Sequence, residues 1–245
     1  MIVRRFVLKL ASLTDLKEHP ATNHIQPDST TMPEHHFIKT VVSGRYVIQN
    51  PSDQRPAHLL VGFHGYGQVA EHELSILQGI AGTSGWMCCS IEALHPFYRG
   101  KGVVGANWMT SRNRELMIEE NVAYVNSVIH ELYGKYSLDG ALVYHGFSMG
   151  AAMAVRAALL GAHEHSAVML IGGNIPPEHE QLEKLKTVHI ARGNTDRLYS
   201  RKEFERDRKR LESSEVPFEH CCFSGGHEAG EMYLESAAAF LNQLR

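Results

Sequence analysis

The chain has 245 residues, the size of one ordinary α/β domain. Hydrophobic residues make up 43% and charged residues 21%, with 21 Gly and 9 Pro, which excludes a disordered or collagen-like polymer. The formal net charge of −3 lacks the basic excess that binding a phosphate backbone requires, so nucleic acid is not an expected partner.

Residues 1–40 read as an N-terminal extension. Met1 to Leu13 carries Arg4, Arg5 and Lys9 without an acid, and the stretch from His19 to His36 is polar, Pro-containing and aperiodic. Lys9 breaks the apolar core of a secretory signal, and no small-residue cleavage pattern follows it. A cytoplasmic location is the expectation. Ile2, Phe6, Leu10 and Leu13 share one helical face within residues 1–14, which keeps organelle targeting as the alternative, and Met32 is a second candidate start.

Residues 41–245 read as a single domain in which short apolar runs alternate with longer helical patterns. That alternation is the signature of βα units feeding a mostly parallel central sheet flanked by helices, an α/β fold. Strands are expected at Arg45–Gln49, His58–Phe63, Trp86–Glu92, Ala141–Phe147, Ala167–Ile171, Thr187–Ala191 and Phe218–Phe223. Helices are expected at Glu115–Leu132, Met149–Ala162, Arg201–Ser213 and Glu228–Leu244, with Ser200 and Glu203 forming a capping box before the third. The longest apolar stretch, Ala151 to Ala162, is interrupted by Arg156 and falls short of the roughly 20 residues a membrane span needs, so no transmembrane segment is expected.

Cys88-Cys89 and Cys221-Cys222 lie in apolar, strand-like runs without C-x-x-C spacing, and are expected to serve as small hydrophobes. The 16 histidines include no H-E-x-x-H pattern, so no metal site and no cofactor are expected.

The chemistry concentrates in the strand Leu142 to Phe147, which runs into Gly146-Phe147-Ser148-Met149-Gly150 and then directly into an apolar helix. G-x-S-x-G in that context places a serine on a tight strand-to-helix turn with its hydroxyl exposed at a helix N-terminus. A serine nucleophile needs a base, and the base needs an orienting acid. Beyond Ser148 the chain has two aspartates, Asp196 and Asp207. Asp207 falls in a charged helix among Arg206, Arg208 and Arg210, where a solvent-exposed ion pair is expected; Asp196 falls in a turn-rich loop after a strand and is the better acid. Of the two histidines after it, His220 alternates with apolar neighbours in a strand, whereas His227 follows Ser224-Gly225-Gly226 at a strand end and suits the base. The apolar strand ending in His64-Gly65-Tyr66-Gly67 is placed to build an oxyanion hole, assigned to the backbone amides of Tyr66 and Met149. The segment Leu94 to Arg114 is too long for a plain connection, and Trp108 within it is a candidate wall of the substrate pocket.

The H-G-Y-G strand end, the G-F-S-M-G elbow, the G-N-T-D loop at Gly193–Asp196 and the G-G-H-E loop at Gly225–Glu228 resemble the phospholipase/carboxylesterase branch of the α/β-hydrolase superfamily, which includes acyl-protein thioesterases. The resemblance spans Val41 to Arg245 and implies a serine hydrolase that cleaves small carboxylic esters or thioesters through an acyl-enzyme, with little or no cap domain. Gln68, where many relatives carry an acid, and Ala151, where many carry glycine, depart from the pattern. The same residues also suit a serine peptidase of this fold, or a non-catalytic binding protein built on it.

Overall fold

The computed structural model describes residues 33–50, 58–82 and 85–244. Most of the expected N-terminal extension, including the helical face proposed for residues 1–14, lies outside the described residues. Val41 to Arg245 forms one compact unit.

A seven-stranded sheet runs in the order β1 (Tyr46–Gln49), β3 (Trp86–Ile91), β2 (His58–Phe63), β6 (Leu142–Phe147), β7 (Ala167–Ile171), β8 (Val188–Gly193), β9 (Phe218–Phe223). β1 lies antiparallel to β3, with Tyr46 opposite Ile91, and the remaining neighbours pair in parallel. The expected strands all form, because continuous apolar runs such as Leu142 to Phe147 are stable only when both faces are covered.

The covering is visible in the alternation along β2. Leu59, Val61 and Phe63 point into a core shared with α2 (Arg114–Lys135), α3 (Met149–Leu160) and α4 (Arg201–Ser213), while Leu60 enters a second core with α1 (Ala70–Ala81) and α5 (Glu231–Asn242). On α2, Val122, Val125, Val128, Ile129 and Leu132 form the buried stripe. α4 starts as its sequence demands: the Glu203 amide donates to Ser200 Oγ and the Ser200 amide to Glu203 Oε2. Among the described residues, no helix is long and apolar enough to cross a membrane.

Besides a single 3-10 turn at Leu182–Lys184, a helix and a hairpin have no counterpart among the sequence expectations. α1 hides its stripe because one buried position, between Ala70 and Leu77, is Glu73, an acid that reads as surface. It is buried because His145 Nδ1 bonds its carboxylate, and Tyr233 Oη completes the chain at His145 Nε2, 2.7 Å away. Burial pushes the Glu73 carboxyl above the usual range, against the pull of His145.

The second element is a hairpin, β4 (His95–Gly100) and β5 (Val103–Asn107), in the segment expected to be an irregular loop. Its turn is Gly100-Lys101-Gly102, all three residues with positive φ.

The cysteine expectation holds for half of the residues. Cys88 and Cys89 are buried, and burial pushes the Cys88 thiol up to about 12. Cys221 is only half-buried and Cys222 is exposed, because β9 is an edge strand with an uncovered outer face.

Candidate active site

The turn between β6 and α3 carries Ser148 at φ 57°, ψ −119°, a conformation that L side chains rarely adopt. Neighbouring glycines make it possible. A Cβ on Gly150 would stand 1.7 Å from the Phe63 carbonyl oxygen, and one on Gly146 would stand 2.2 Å from the Gly150 carbonyl oxygen. Gly173, which was not singled out from the sequence, serves the same end: its Cβ would meet the Ser148 carbonyl oxygen at 2.0 Å. The signal for it was Gly172-Gly173 directly after β7.

These contacts are to backbone, so no rotamer change relieves them. Gly150→Ala is expected to destabilise the protein by about 1–3 kcal/mol or more, read as a lowered denaturant midpoint. A midpoint equal to wild type would show that α3 does not approach β2 this closely.

The structure brings Ser148, His227 and Asp196 together. His227 Nε2 lies 2.8 Å from Ser148 Oγ, and His227 Nδ1 lies 2.9 Å from Asp196 Oδ2. The Asp196 side chain is almost fully buried, and its other oxygen accepts the amides of Leu198 at 2.8 Å and Tyr199 at 3.0 Å. The loops bearing the acid and the histidine are stitched to each other: the amides of Asn194 and Thr195 donate to the carbonyls of Phe223 and Gly225, and Thr195 Oγ1 adds a bond to Gly225 O. Phe147 packs against the His227 ring at 5.0 Å between centroids.

Asp207 is not the exposed helix residue that its neighbours suggested. It is fully buried; Oδ2 accepts the Ile175 amide at 3.1 Å and the Tyr199 hydroxyl at 3.0 Å, and Oδ1 accepts Arg206 Nε at 3.3 Å. Burial raises its pKa against the pull of those donors. It therefore bolts two loops onto α4, the one after β7 and the one that carries Asp196. His220, by contrast, is exposed on β9.

The turn after β2 abuts the elbow: a Cβ on Gly65 would lie 3.2 Å from Ser148 Cβ. Gln68 closes this turn, its Oε1 accepting the Gly65 amide at 2.8 Å. His64 is buried and neutral in the arrangement shown, with Nε2 accepting the Ala93 amide and Nδ1–H donating to Gly65 O; burial lowers its pKa. The Tyr66 and Met149 amides donate to no group among the described residues.

Trp108 does not wall the pocket. It is fully buried against Phe63 and His64, donates Nε1–H to His64 O at 2.9 Å, and is held from behind by Asn121 Nδ2 on its carbonyl. Its role is to brace the turn that carries Tyr66. The cavity containing Ser148 and His227, of about 390 Å³, is instead lined by Met109, Arg114, Arg156, Asn174, Leu198 and neighbouring residues. A larger groove of about 740 Å³ opens between α4 and residues 177–182 and contains neither Ser148 nor His227. Among the described residues no cluster of His, Cys, Asp and Glu could hold a metal ion.

A mostly parallel sheet with helices on both faces, a strained serine between strand and helix, and a histidine and aspartate from later strand ends together define an α/β hydrolase. The sequence matches the phospholipase/carboxylesterase family over residues 44–245, and the chain belongs to that family. Membership places it among hydrolases of carboxylic esters. Similar solved structures include esterase PE8, at 22% identity and TM-score 0.70 over 83% of this chain and all of that one. The Bacillus cereus carboxylesterase matches at 19% identity and TM-score 0.65, over 82% of this chain and 95% of that one. Zea mays acyl-protein thioesterase 2 matches at 20% identity and TM-score 0.62, over 82% and 99%. No curated protein sequence matches at a significant level.

Proposed function

We propose that the protein hydrolyses carboxylic esters or thioesters by a serine mechanism without a cofactor. The observation that carries this reading is His227, which lies within hydrogen-bond reach of Ser148 Oγ on one side and Asp196 on the other. With Asp196 holding Nδ1–H, Nε2 presents its lone pair to the serine hydroxyl. His227 takes that proton as Oγ attacks the substrate carbonyl, and the tetrahedral oxyanion forms next to the Tyr66 and Met149 amides. The same proton passes to the leaving alkoxide or thiolate as the acyl-enzyme forms. Water, deprotonated by His227, then attacks the acyl-enzyme, and Ser148 leaves with the proton restored.

The orphan state of the two amides supports their assignment, since donors already used inside the protein would be unable to stabilise an oxyanion. A complete and aligned set of acid, base and nucleophile also weighs against a purely binding role for the fold. The decisive experiment is labelling with a fluorophosphonate probe followed by peptide mapping. The adduct is expected on the peptide that contains Ser148; an adduct confined to another serine, or none at all, would overturn the mechanism.

A further inference from the structure

Ala152 and Arg156 lie four residues apart on one face of α3, Ser148 stands in the turn that opens the helix, and all three line the cavity. A guanidinium on the wall of an ester-hydrolase cavity, in the second turn of the helix that follows the serine, is unexpected: Arg156 is only 2% exposed. Its Nη2 donates to Glu178 Oε1 at 2.6 Å, while Nε is buried with no partner. Arg114, also on the cavity wall, donates Nη2 to the same Glu178 oxygen at 2.9 Å, and its Nη1 reaches only the soft sulfur of Met109 at 3.4 Å.

Two guanidinium groups thus share one carboxylate oxygen, leaving one positive charge and several donors without a matching anion. Glu203, an acid on the cavity wall, bonds the Ser200 amide and hydroxyl and neither of the two arginines. Burial lowers the Arg156 pKa and Arg114 pushes it the same way, against the support of Glu178. Glu178 stays ionised: despite burial, the bond from Arg156 and the nearby charges hold its carboxyl at about 2. Burying a charge with its donors unmatched costs free energy that a purely structural brace has no reason to accept. A planar carboxylate from a ligand supplies the missing acceptor in the fork geometry that arginine prefers.

We propose that the cavity selects esters bearing a carboxylate, which Arg156 and Arg114 hold while the ester carbonyl sits at Ser148. The proposal rests on the serine-hydrolase reading above. The rise from Met149, the residue after the serine, to Arg156 is roughly 10 Å along the helix axis, and arginine side chains lean back toward the helix N-terminus. A short spacer between the ester and the carboxylate therefore fits.

The test compares matched charged and neutral esters. On the acyl side these are p-nitrophenyl hydrogen glutarate and p-nitrophenyl valerate; on the leaving-group side, the butyrate ester of para-hydroxybenzoic acid and that of its methyl ester. In at least one pair the wild type is expected to favour the charged ester in kcat/KM. In that pair Arg156→Met and Arg114→Gln should each lower the charged-to-neutral ratio by about 10- to 100-fold, the worth of one charge-assisted hydrogen bond. Arg114→Gln keeps the test decisive if Arg156→Met does not fold, because the Arg114 side chain is 44% exposed. A wild-type preference for the neutral ester in both pairs, or variants that slow both members of a pair alike, would overturn the proposal and leave the two arginines as a brace for the loop bearing Glu178. Turnover of both esters that survives Ser148→Ala would instead sink the nucleophile assignment, a separate failure.

Discussion

Ser148→Ala is expected to lose on the order of 10⁶ in kcat on an activated ester while its unfolding midpoint stays at or above that of the wild type. In the proposed mechanism the loss follows from removing the atom that forms the acyl bond. The stability expectation follows from the backbone. Ser148 sits at φ 57°, and its hydroxyl bonds His227 Nε2, so truncation removes little packing and does not add strain. Measured together, near wild-type turnover would reject Ser148 as the nucleophile, and a large drop in midpoint would show that the hydroxyl holds the fold rather than the chemistry.

Asp196→Asn comes next in size, with an expected loss of about 10⁴-fold in kcat. Asn can keep the contacts of Oδ1 with the Leu198 and Tyr199 amides, so the loop retains its shape. Its amide nitrogen then faces His227 Nδ1 and donates to it, which leaves the proton on Nε2 and points an N–H, not a lone pair, at Ser148. Asp207→Asn makes the contrast. From sequence it would be nearly silent, but the structure buries Asp207 beneath Tyr199 and Ile175, so the variant is expected to lose about 1–3 kcal/mol of stability. Its kcat per folded molecule should stay well above that of Asp196→Asn. If Asp207→Asn were the more severe in kcat, the acid would have been assigned to the wrong residue.

The three candidate residues that the structure brings together could be picked out along the chain because each sits at a strand end with few competitors. Ser148 is marked by the strand-to-helix switch around it, and only two aspartates follow it. Asp207 shows what such reading misses. Its own helix displays Arg206, Arg208 and Arg210, whereas the groups that determine its environment, Tyr199 and Ile175, reach it by tertiary folding. Arg156 is the same lesson with opposite sign, since along the chain it only interrupts an apolar helix, and Glu178 and Arg114, its partner and its companion at that acid, come from distant segments. α1 was hidden by Glu73, whose burial depends on a histidine 72 residues away. Trp108 looked like a pocket wall because an aromatic in a long loop is ambiguous until its indole finds a partner, and here that partner is the His64 carbonyl.

The sheet order also has a consequence for how the protein would come apart. The serine stands at the end of β6, the middle strand, while the histidine follows β9, the edge strand. Edge strands are paired on one side only and belong to the regions that open at the lowest free energy. Mild denaturant should therefore detach His227 while the elbow is still folded. Both tryptophans, Trp86 and Trp108, are buried on the other side of β6 from β9, so their fluorescence reports the main transition. Catalytic competence and tryptophan emission would then follow two separate unfolding curves, with the loss of turnover coming first.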